Sequence, residues 1–255
     1  MNMALMDEFK QERESVKHKT LRQKSAYFWD YYKWHVLVLL IIITFISSSI
    51  YRSLTTPDMT LNGILLNTFS DGTEDSAATL VEDFMKTQNL DTSKCEITLD
   101  TSLFYTTSTE TDIVMSNYEA IQVILAQSST GELDFIAGDE NAMIDLAYKE
   151  YLADLTDILT SEQLALYEPY LLYVDWSIVE KIELAGKNNE DSSKITLPDP
   201  RNPESMEEPI PVLIDVSNSK KLTEVYNYPI ETLIFGVVNM ENKDMTLKFL
   251  EFIFK

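Results

Sequence analysis

Cysteine and histidine are almost missing from this sequence, and their scarcity excludes several kinds of chemistry. Cys95 is the only cysteine, so the chain cannot form an internal disulfide. The two histidines, His18 and His35, leave every position after residue 35 without an imidazole. Histidine-dependent nucleophilic sites and histidine-ligated zinc are therefore excluded there, whereas chemistry that uses carboxylates alone stays open.

Charged side chains are absent from residues 35–51, HVLVLLIIITFISSSIY. At about 1.5 Å per residue the stretch covers roughly 25 Å, close to the thickness of a bilayer core when Trp34 and Tyr51 lie at the interfaces. The sequence predicts a transmembrane helix over residues 35–51. A cleaved signal peptide is the alternative, because residues 47–49 are serines, but a leader of about 34 residues is long for one. A buried core helix fits the one-sided charge less well.

Basic residues are concentrated before this span and sparse after it. By the positive-inside tendency, residues 1–34 form a cytoplasmic juxtamembrane segment and the C-terminal body lies outside the cytoplasm. Cys95 is also far from the position where a lipid anchor would attach, so the helix itself is the predicted anchor. We therefore predict a single-pass membrane protein, and an outer domain without cysteine pairs is typical of a Gram-positive bacterial envelope, where disulfides are uncommon. The basic residues before the span are Lys10, Arg13, Lys17, Lys19, Arg22, Lys24 and Lys33.

The part of the chain after the span is strongly acidic, with 37 acidic and 12 basic residues and a formal charge near −25. Such a surface repels nucleic acid, so we predict no nucleic-acid partner. A solvated surface is the ordinary explanation, and attraction of cationic ligands or calcium is the alternative. The group Glu204, Glu207 and Glu208 lacks the alternating oxygen ligands and the glycine of a calcium loop. No metal and no cofactor is predicted.

Apolar residues after position 57 alternate between strand and helix periods. Alternation of this kind predicts an α/β fold with a mostly parallel sheet covered by helices. Capping-box patterns at Ser116 and Thr160 predict helix starts. Residues 191–211 are rich in proline and are predicted to form an exposed loop. Strands are predicted at 60–67, 96–100, 133–138, 212–216 and 232–239, and helices at 77–85, 116–130, 141–151 and 243–254.

Two segments resemble the extracellular solute-binding proteins of bacterial ABC transporters. Residues 130–159, TGELDFIAGDENAMIDLAYKEYLADLTDIL, are similar to a family region in which a strand ends in a Gly-Asp pair and a helix leads to an acidic L-x-D-L-T passage. Residues 233–254, LIFGVVNMENKDMTLKFLEFIF, are similar to the family's returning strand and closing helix. The resemblance implies a periplasmic-binding-protein type II fold over residues 57–255. Residues 151–231, with the proline-rich loop, would then form a reduced second lobe.

The resemblance places ligands in the loops that follow the first strands, and open α/β sheets in general bind ligands outside the carboxyl ends of their strands. Asp139 and Glu140 have an alternative role at a helix N-terminus. The alternative for Tyr105 is a half-buried ring at the surface, and the alternative for Trp176 is a side chain that fills the space between the two lobes. The candidate ligand-binding residues are Thr68, Phe69, Ser70, Tyr105, Asp139, Glu140, Asn141 and Trp176.

Three functions are compatible with these observations. The first is a membrane-tethered binding protein or sensor that captures a small solute, with a transporter as a candidate partner. The second is a cell-envelope scaffold in which the binding fold has degenerated. The third is a carboxylate-dependent enzyme such as a glycosidase, which needs two converging carboxylates that no pattern here selects. We expect a non-enzymatic protein, and a working cleft would separate the first function from the second.

Overall fold

The computed structural model describes residues 20–55, 59–68, 76–107, 111–188, 195–226, 231–239 and 241–254. The chain divides into two compact units, Met1–Thr56 and Pro57–Lys255. The predicted candidates Phe69 and Ser70 lie outside the described residues, as does most of the predicted cytoplasmic segment.

Helix α1 (Leu21–Thr55) is the described part of the first unit. Its stretch Tyr32–Tyr51 is long and apolar enough to cross a membrane, although a signal sequence meets the same criterion. Most apolar side chains along this stretch are about half exposed or more, from Leu37 at 48% to Phe45 at 76%, whereas Val36 is partly buried. The structure therefore supports a candidate membrane span, and the helix extends beyond that span at its N-terminal end.

The second unit is built on one sheet of six strands in the order β2-β1-β3-β6-β5-β4. Apolar side chains on alternate strand positions point to opposite faces and form two cores. Ile64 and Ile136 belong to one core, whereas Leu61 and Phe135 belong to the other. The strands are β1 (Met59–Leu65), β2 (Cys95–Asp100), β3 (Phe135–Asp139), β4 (Leu171–Asp175), β5 (Pro209–Asp215) and β6 (Leu233–Val237).

The prediction of a mostly parallel sheet is wrong, because the sheet is mixed. Strand β1 is parallel to β2 and β3, but the pairs β3–β6, β6–β5 and β5–β4 are antiparallel. The alternation of strands and helices predicts the parallel half, in which each helix returns the chain to the same end of the sheet. It cannot fix the directions of β4, β5 and β6, whose connections also contain helices but join antiparallel neighbours.

Helices cover both faces of the sheet. On one face α2, α5, α6, α8 and α9 surround a cluster in which the rings of Phe135 and Phe235, and those of Phe135 and Phe249, stack at 4.9 Å. Helices α3, α4 and α7 pack on the other face. The helices are α2 (Ser76–Thr87), α3 (Thr111–Ser129), α4 (Glu140–Tyr148), α5 (Leu155–Ile158), α6 (Ser161–Tyr167), α7 (Trp176–Lys187), α8 (Lys220–Val225) and α9 (Lys243–Phe254).

Residues 151–231, expected as a reduced second lobe, supply β4 and β5 to this same sheet. The predicted proline-rich loop ends at residue 208, because β5 starts at Pro209 and lies between β4 and β6. Pro209 is the first residue of the strand, and Pro211 lies opposite Tyr173 at a shift of register. Both are positions at which a sheet tolerates proline.

Two predicted helix starts have different outcomes. The capping box at Thr160 is confirmed: its hydroxyl accepts the Gln163 N–H at 3.3 Å, and Gln163 Oε1 accepts the Thr160 N–H at 3.0 Å. The predicted start at Ser116 is wrong, because α3 already begins at Thr111. A Ser-x-x-Glu pattern also fits the interior of a helix, so it cannot identify an N-terminus without a change of apolar period before it.

Candidate functional site

Asn67, Tyr105 and Asp139 meet at the carboxyl ends of β1, β2 and β3. The Asn67 amide donates from Nδ2 to the Tyr105 carbonyl at 2.7 Å and to the Asp139 carboxylate, and its Oδ1 accepts the Tyr105 N–H at 2.8 Å. Asn67 adopts φ 59°, a left-handed conformation that asparagine tolerates better than most residues. With Thr68 and Tyr226, these residues form what we call the carboxyl-edge cluster.

The other members of the carboxyl-edge cluster bond inward. The Thr68 hydroxyl donates to the Thr101 carbonyl at 2.7 Å. Asp139 is the N-cap of α4 and accepts the Ala142 N–H at 3.1 Å, as its alternative role predicts. The buried Tyr226 hydroxyl donates to a strand carbonyl, and its pKa is raised by burial and by the charge of Asp139.

Tyr105 is only 3% exposed, so it is more deeply buried than a surface ring. Its hydroxyl donates to the Asp145 carboxylate and accepts from Lys149 Nζ at 2.7 Å, and Lys149 also pairs with Asp145 at 2.7 Å. Burial, and then the hydrogen bond to Asp145, raises the pKa of Tyr105 to about 12. The ring and its hydroxyl are therefore committed to contacts with α4.

Glu140 forms a second polar group at the same edge. Its carboxylate binds both terminal nitrogens of Arg201, at 2.7 and 2.8 Å, and Arg201 also contacts Asp215 at 3.0 Å. Burial alone would raise the pKa of Asp215, but hydrogen bonds from Ser217 and the pair with Arg201 hold it below its usual value. Arg201 thus ties the proline-rich segment to α4 and β5.

The sequence patterns do not identify Asn67, Arg201 or Asp215 as residues of a site. Asn67 directly precedes the predicted Thr68, and Arg201 is an isolated basic residue in an acidic, proline-rich stretch. Neither signal specifies a partner, because Arg201 is 61 residues from Glu140 along the chain. Side-chain pairs at this separation depend on the antiparallel half of the sheet, which the sequence pattern does not predict.

The structure brings together Thr68, Tyr105, Asp139 and Glu140 of the predicted candidates. Asn141 is exposed in the first turn of α4. Trp176 is elsewhere: it follows β4, whose carboxyl end lies at the opposite edge of the sheet, and its partly buried ring packs against the core. Binding of a ligand by any of these residues stays a prediction.

A groove of about 790 Å³ opens at the opposite edge of the sheet, where β3 begins. Its walls are the C-terminal ends of α3 and α4, the end of β6 and the start of the turn into α9. We call it the amino-edge groove. It is lined by Leu125, residues 128–131, residues 149–151, Val238, Asn239 and Glu241.

Helix α3 ends at this groove in a Schellman motif. The Glu132 N–H donates to the Gln127 carbonyl at 2.9 Å, and the Gly131 N–H donates to the Ser128 carbonyl at 3.1 Å. The motif needs a left-handed residue after the helix, and Gly131 supplies it with φ 71°. The Gly131 carbonyl accepts from Asn239 Nδ2 at 2.6 Å, which fixes the helix end to the groove wall.

Helix α4 ends in the same motif with a different residue. The Tyr151 N–H donates to the Leu146 carbonyl and the Glu150 N–H to the Ala147 carbonyl, both at 3.1 Å. The left-handed position is Glu150, with φ 62°. A left-handed side chain other than glycine, asparagine or aspartate costs about 1–2 kcal/mol. An exposed glutamate is therefore held in a strained conformation at the mouth of the groove.

Carboxylates dominate the charge near the groove. Glu241 Oε2 lies 3.3 Å from the point where a Cβ on Gly131 would stand. Asp134, fully buried, accepts from the Asn62 N–H at 2.8 Å and from Asn242 Nδ2 at 3.1 Å, and its pKa is raised by burial and also by Glu241. In the described ranges, no group of three or more histidine, cysteine, aspartate or glutamate residues is placed to hold a metal ion.

No family model and no curated protein matches this chain. Among solved structures, it is similar to an ABC substrate-binding protein from Listeria monocytogenes in complex with cycloalternan, with 11% identity and a TM-score of 0.25. The similarity covers 49% of this chain and 34% of that protein. A similarity of this size carries no argument about fold or function, so membership of the solute-binding family stays a prediction.

Proposed function

We propose that this protein is a non-catalytic binding protein, anchored in the membrane by α1, that captures a small solute with its Pro57–Lys255 unit outside the cytoplasm. A transporter or another envelope protein is the partner to which it would pass or report the solute. The amino-edge groove is the observation that carries this proposal. Its volume of about 790 Å³ lies within the usual range of roughly 300–1,000 Å³ for small-molecule sites.

The groove has the mixed lining that small-molecule sites use. Leu125, Tyr151 and Val238 offer apolar surface, and Ser128, Asn239 and Glu241 offer polar groups. These residues are carried by helix ends and a strand end, which hold side chains more firmly than long loops do. The carboxyl-edge cluster is less suited to capture, because its described polar side chains already make hydrogen bonds within the protein.

The proposed orientation of the chain in the membrane follows from the charges on either side of the apolar span in α1. The basic residues before the span favour a cytoplasmic N-terminus, and the acidic unit after it would then face outward. Exposed apolar side chains along Tyr32–Tyr51 support retention in the bilayer, because lipid would cover them.

A thermal-unfolding screen tests this proposal. The detergent-solubilised chain is heated with sugars, oligosaccharides, amino acids, peptides, polyamines and calcium. A ligand at 100 times its dissociation constant stabilises by about 2.7 kcal/mol, which raises the midpoint by roughly 5–10 °C for a unit of this size. A rise with one chemical class supports capture, and a flat response from a cooperatively unfolding protein contradicts it.

A scaffold is the second candidate function. It is favoured by the closed carboxyl-edge cluster and by exposed apolar residues on α3, with Tyr118 64% and Leu125 45% exposed. Exposed aromatic and aliphatic side chains of this kind often contact protein partners. A flat solute screen together with co-purification of an envelope protein that Tyr118→Ala abolishes would favour the scaffold.

A further inference from the structure

We propose that the amino-edge groove binds a small aliphatic amine in its ammonium form. This inference rests on the proposed function and names the chemical class of its solute. Three features of the groove carry it: two helix C-termini, two carboxylates on its lining, and apolar side chains on the same lining.

The first feature is the pair of helix ends. The C-termini of α3 and α4 both line the groove, and the C-terminal end of a helix carries a partial negative charge. Helix C-termini therefore attract cations. Two of them directed at one concave site favour an ammonium over a neutral or anionic ligand.

The second feature is the position of Glu150 and Glu241. Glu150 keeps a left-handed conformation that glycine adopts without strain, as Gly131 does at the matching position of α3. A third helix, α2, ends in the same way with Asn89 at φ 53°, another residue that tolerates this conformation. Of these three motifs, only the one that ends α4 has a charged residue at the left-handed position.

The one basic residue on the lining does not reverse this charge. Lys149 directs its ammonium group to Asp145 and the Tyr105 hydroxyl, both at 2.7 Å, so its charge is paired there. The carboxylates of Glu150 and Glu241 remain as the charges of the lining, and Asp134 lies buried behind them. The field of the acidic unit would add long-range attraction for a cation.

The third feature selects an aliphatic amine over a bare metal ion. Leu125 is 45% exposed, and the partly buried Tyr151 and Val238 are also on the lining. A short methylene chain can cover these apolar side chains while its ammonium groups meet the carboxylates.

The test is isothermal titration calorimetry of the full chain in phosphatidylcholine nanodiscs, with sodium chloride at near-physiological strength. The probe is 1,4-diaminobutane, and its matched controls are 1,4-butanediol and butanedioate, which have the same chain length with neutral or negative ends. Saturable heat with the diamine alone is expected. Equal binding of the diol, or binding of butanedioate, overturns the inference.

Variants locate the binding. Glu150→Gly should relieve strain and raise the unfolding midpoint by about 2–4 °C, while weakening diamine binding about tenfold or more, so misfolding cannot explain the loss. Glu241→Gln should weaken binding similarly, and Glu180→Gln, at an exposed position of α7, should leave it unchanged. Unaltered binding by Glu150→Gly and Glu241→Gln together overturns the inference.

The two proposals fail in different ways. If another solute class stabilises the protein and the diamine does not bind, the amine assignment is wrong and solute capture stands. If calcium binds saturably at the groove and the diamine does not, the amine assignment is likewise overturned. If no solute of the screen binds, solute capture itself is contradicted.

Discussion

At the scale of single residues, the left-handed asparagine of the carboxyl-edge cluster joins three strand ends. The Asn67 side chain makes two hydrogen bonds to the Tyr105 backbone and one to the Asp139 carboxylate, so it links the segments that follow β1, β2 and β3. The sequence predicts that the neighbouring loops meet, because parallel strands end at one edge. It does not predict that the Asn67 side chain would form hydrogen bonds with the Tyr105 backbone and the Asp139 carboxylate there.

Replacing Asn67 by alanine should destabilise the protein strongly. Asn67→Ala loses three hydrogen bonds and leaves at φ 59° a residue that tolerates the left-handed conformation less well than asparagine, for a combined cost of about 2–4 kcal/mol in the free energy of unfolding. Asn67→Gly removes the same bonds without the strain and should be intermediate. Urea denaturation measures both. A cost below about 1 kcal/mol for the alanine variant would show that the network contributes little.

The raised pKa of Tyr105 predicts that the folded protein loses stability at alkaline pH. Its pKa is about 12 in the folded protein, against about 10 when unfolded, so its contribution is complete below pH 10 and is lost as the pH rises towards 12. Tyr105 should contribute about 2 kcal/mol to this fall, so the fall should be smaller by about that amount in Tyr105→Phe. Tyr118→Phe, at an exposed ring, is the control and should retain the fall. Identical alkaline profiles for Tyr105→Phe and the unaltered chain would contradict the assignment.

At the scale of elements, local patterns predict several helices and strands but miss β4, α7 and α8, and they do not fix the strand directions. The strand at residues 133–138, the cap at Asp139 and the capping box at Thr160 follow from apolar period and short-range hydrogen bonding. The sequence pattern starts strand β5 at residue 212, because proline suggests a loop. Its true start depends on a register shift against β4, a long-range feature that no local pattern carries.

The close approach of β1 and β3 gives a sharp prediction for Gly63. A Cβ at this position would stand within 2.5 Å of three carbons of the Phe135 ring, which stacks on the rings of Phe235 and Phe249. Gly63→Ala should therefore cost about 3 kcal/mol through overpacking. Gly186→Ala is the matched control in α7, where a new methyl group meets nothing within 4 Å, and it should stabilise by about 1 kcal/mol. Equal midpoints in urea for the two variants would contradict this packing.

At the scale of the whole molecule, the chain combines one apolar helix with one acidic α/β unit. The apolar stretch, the charge asymmetry and the α/β class are readable from composition and period. The groove is not, because it forms where two helix ends, a strand end and a turn converge from separate parts of the chain. A concave surface of this kind depends on tertiary packing.

Orientation can be tested with single cysteines in a Cys95→Ala background. Asn218→Cys, at an exposed turn after β5, should react with a membrane-impermeant maleimide in intact cells. Asn2→Cys should react only after the cells are permeabilised, because the positive-inside tendency places it in the cytoplasm. The reverse pattern would invert the proposed orientation. Release of the labelled unit into the medium would show that the span is cleaved as a signal sequence.

The most direct test of solute capture is a nuclear magnetic resonance titration of residues 57–255 with pooled solutes from each chemical class, read from backbone amide shifts. We expect saturable shifts for one pool, centred on residues 128–131 and 149–151 and on Val238, Asn239 and Glu241 around the amino-edge groove. Saturable shifts at Asn67, Tyr105 and Asp139 instead would keep solute capture but move the site to the carboxyl edge. A folded spectrum that no pool changes would contradict capture and leave the scaffold.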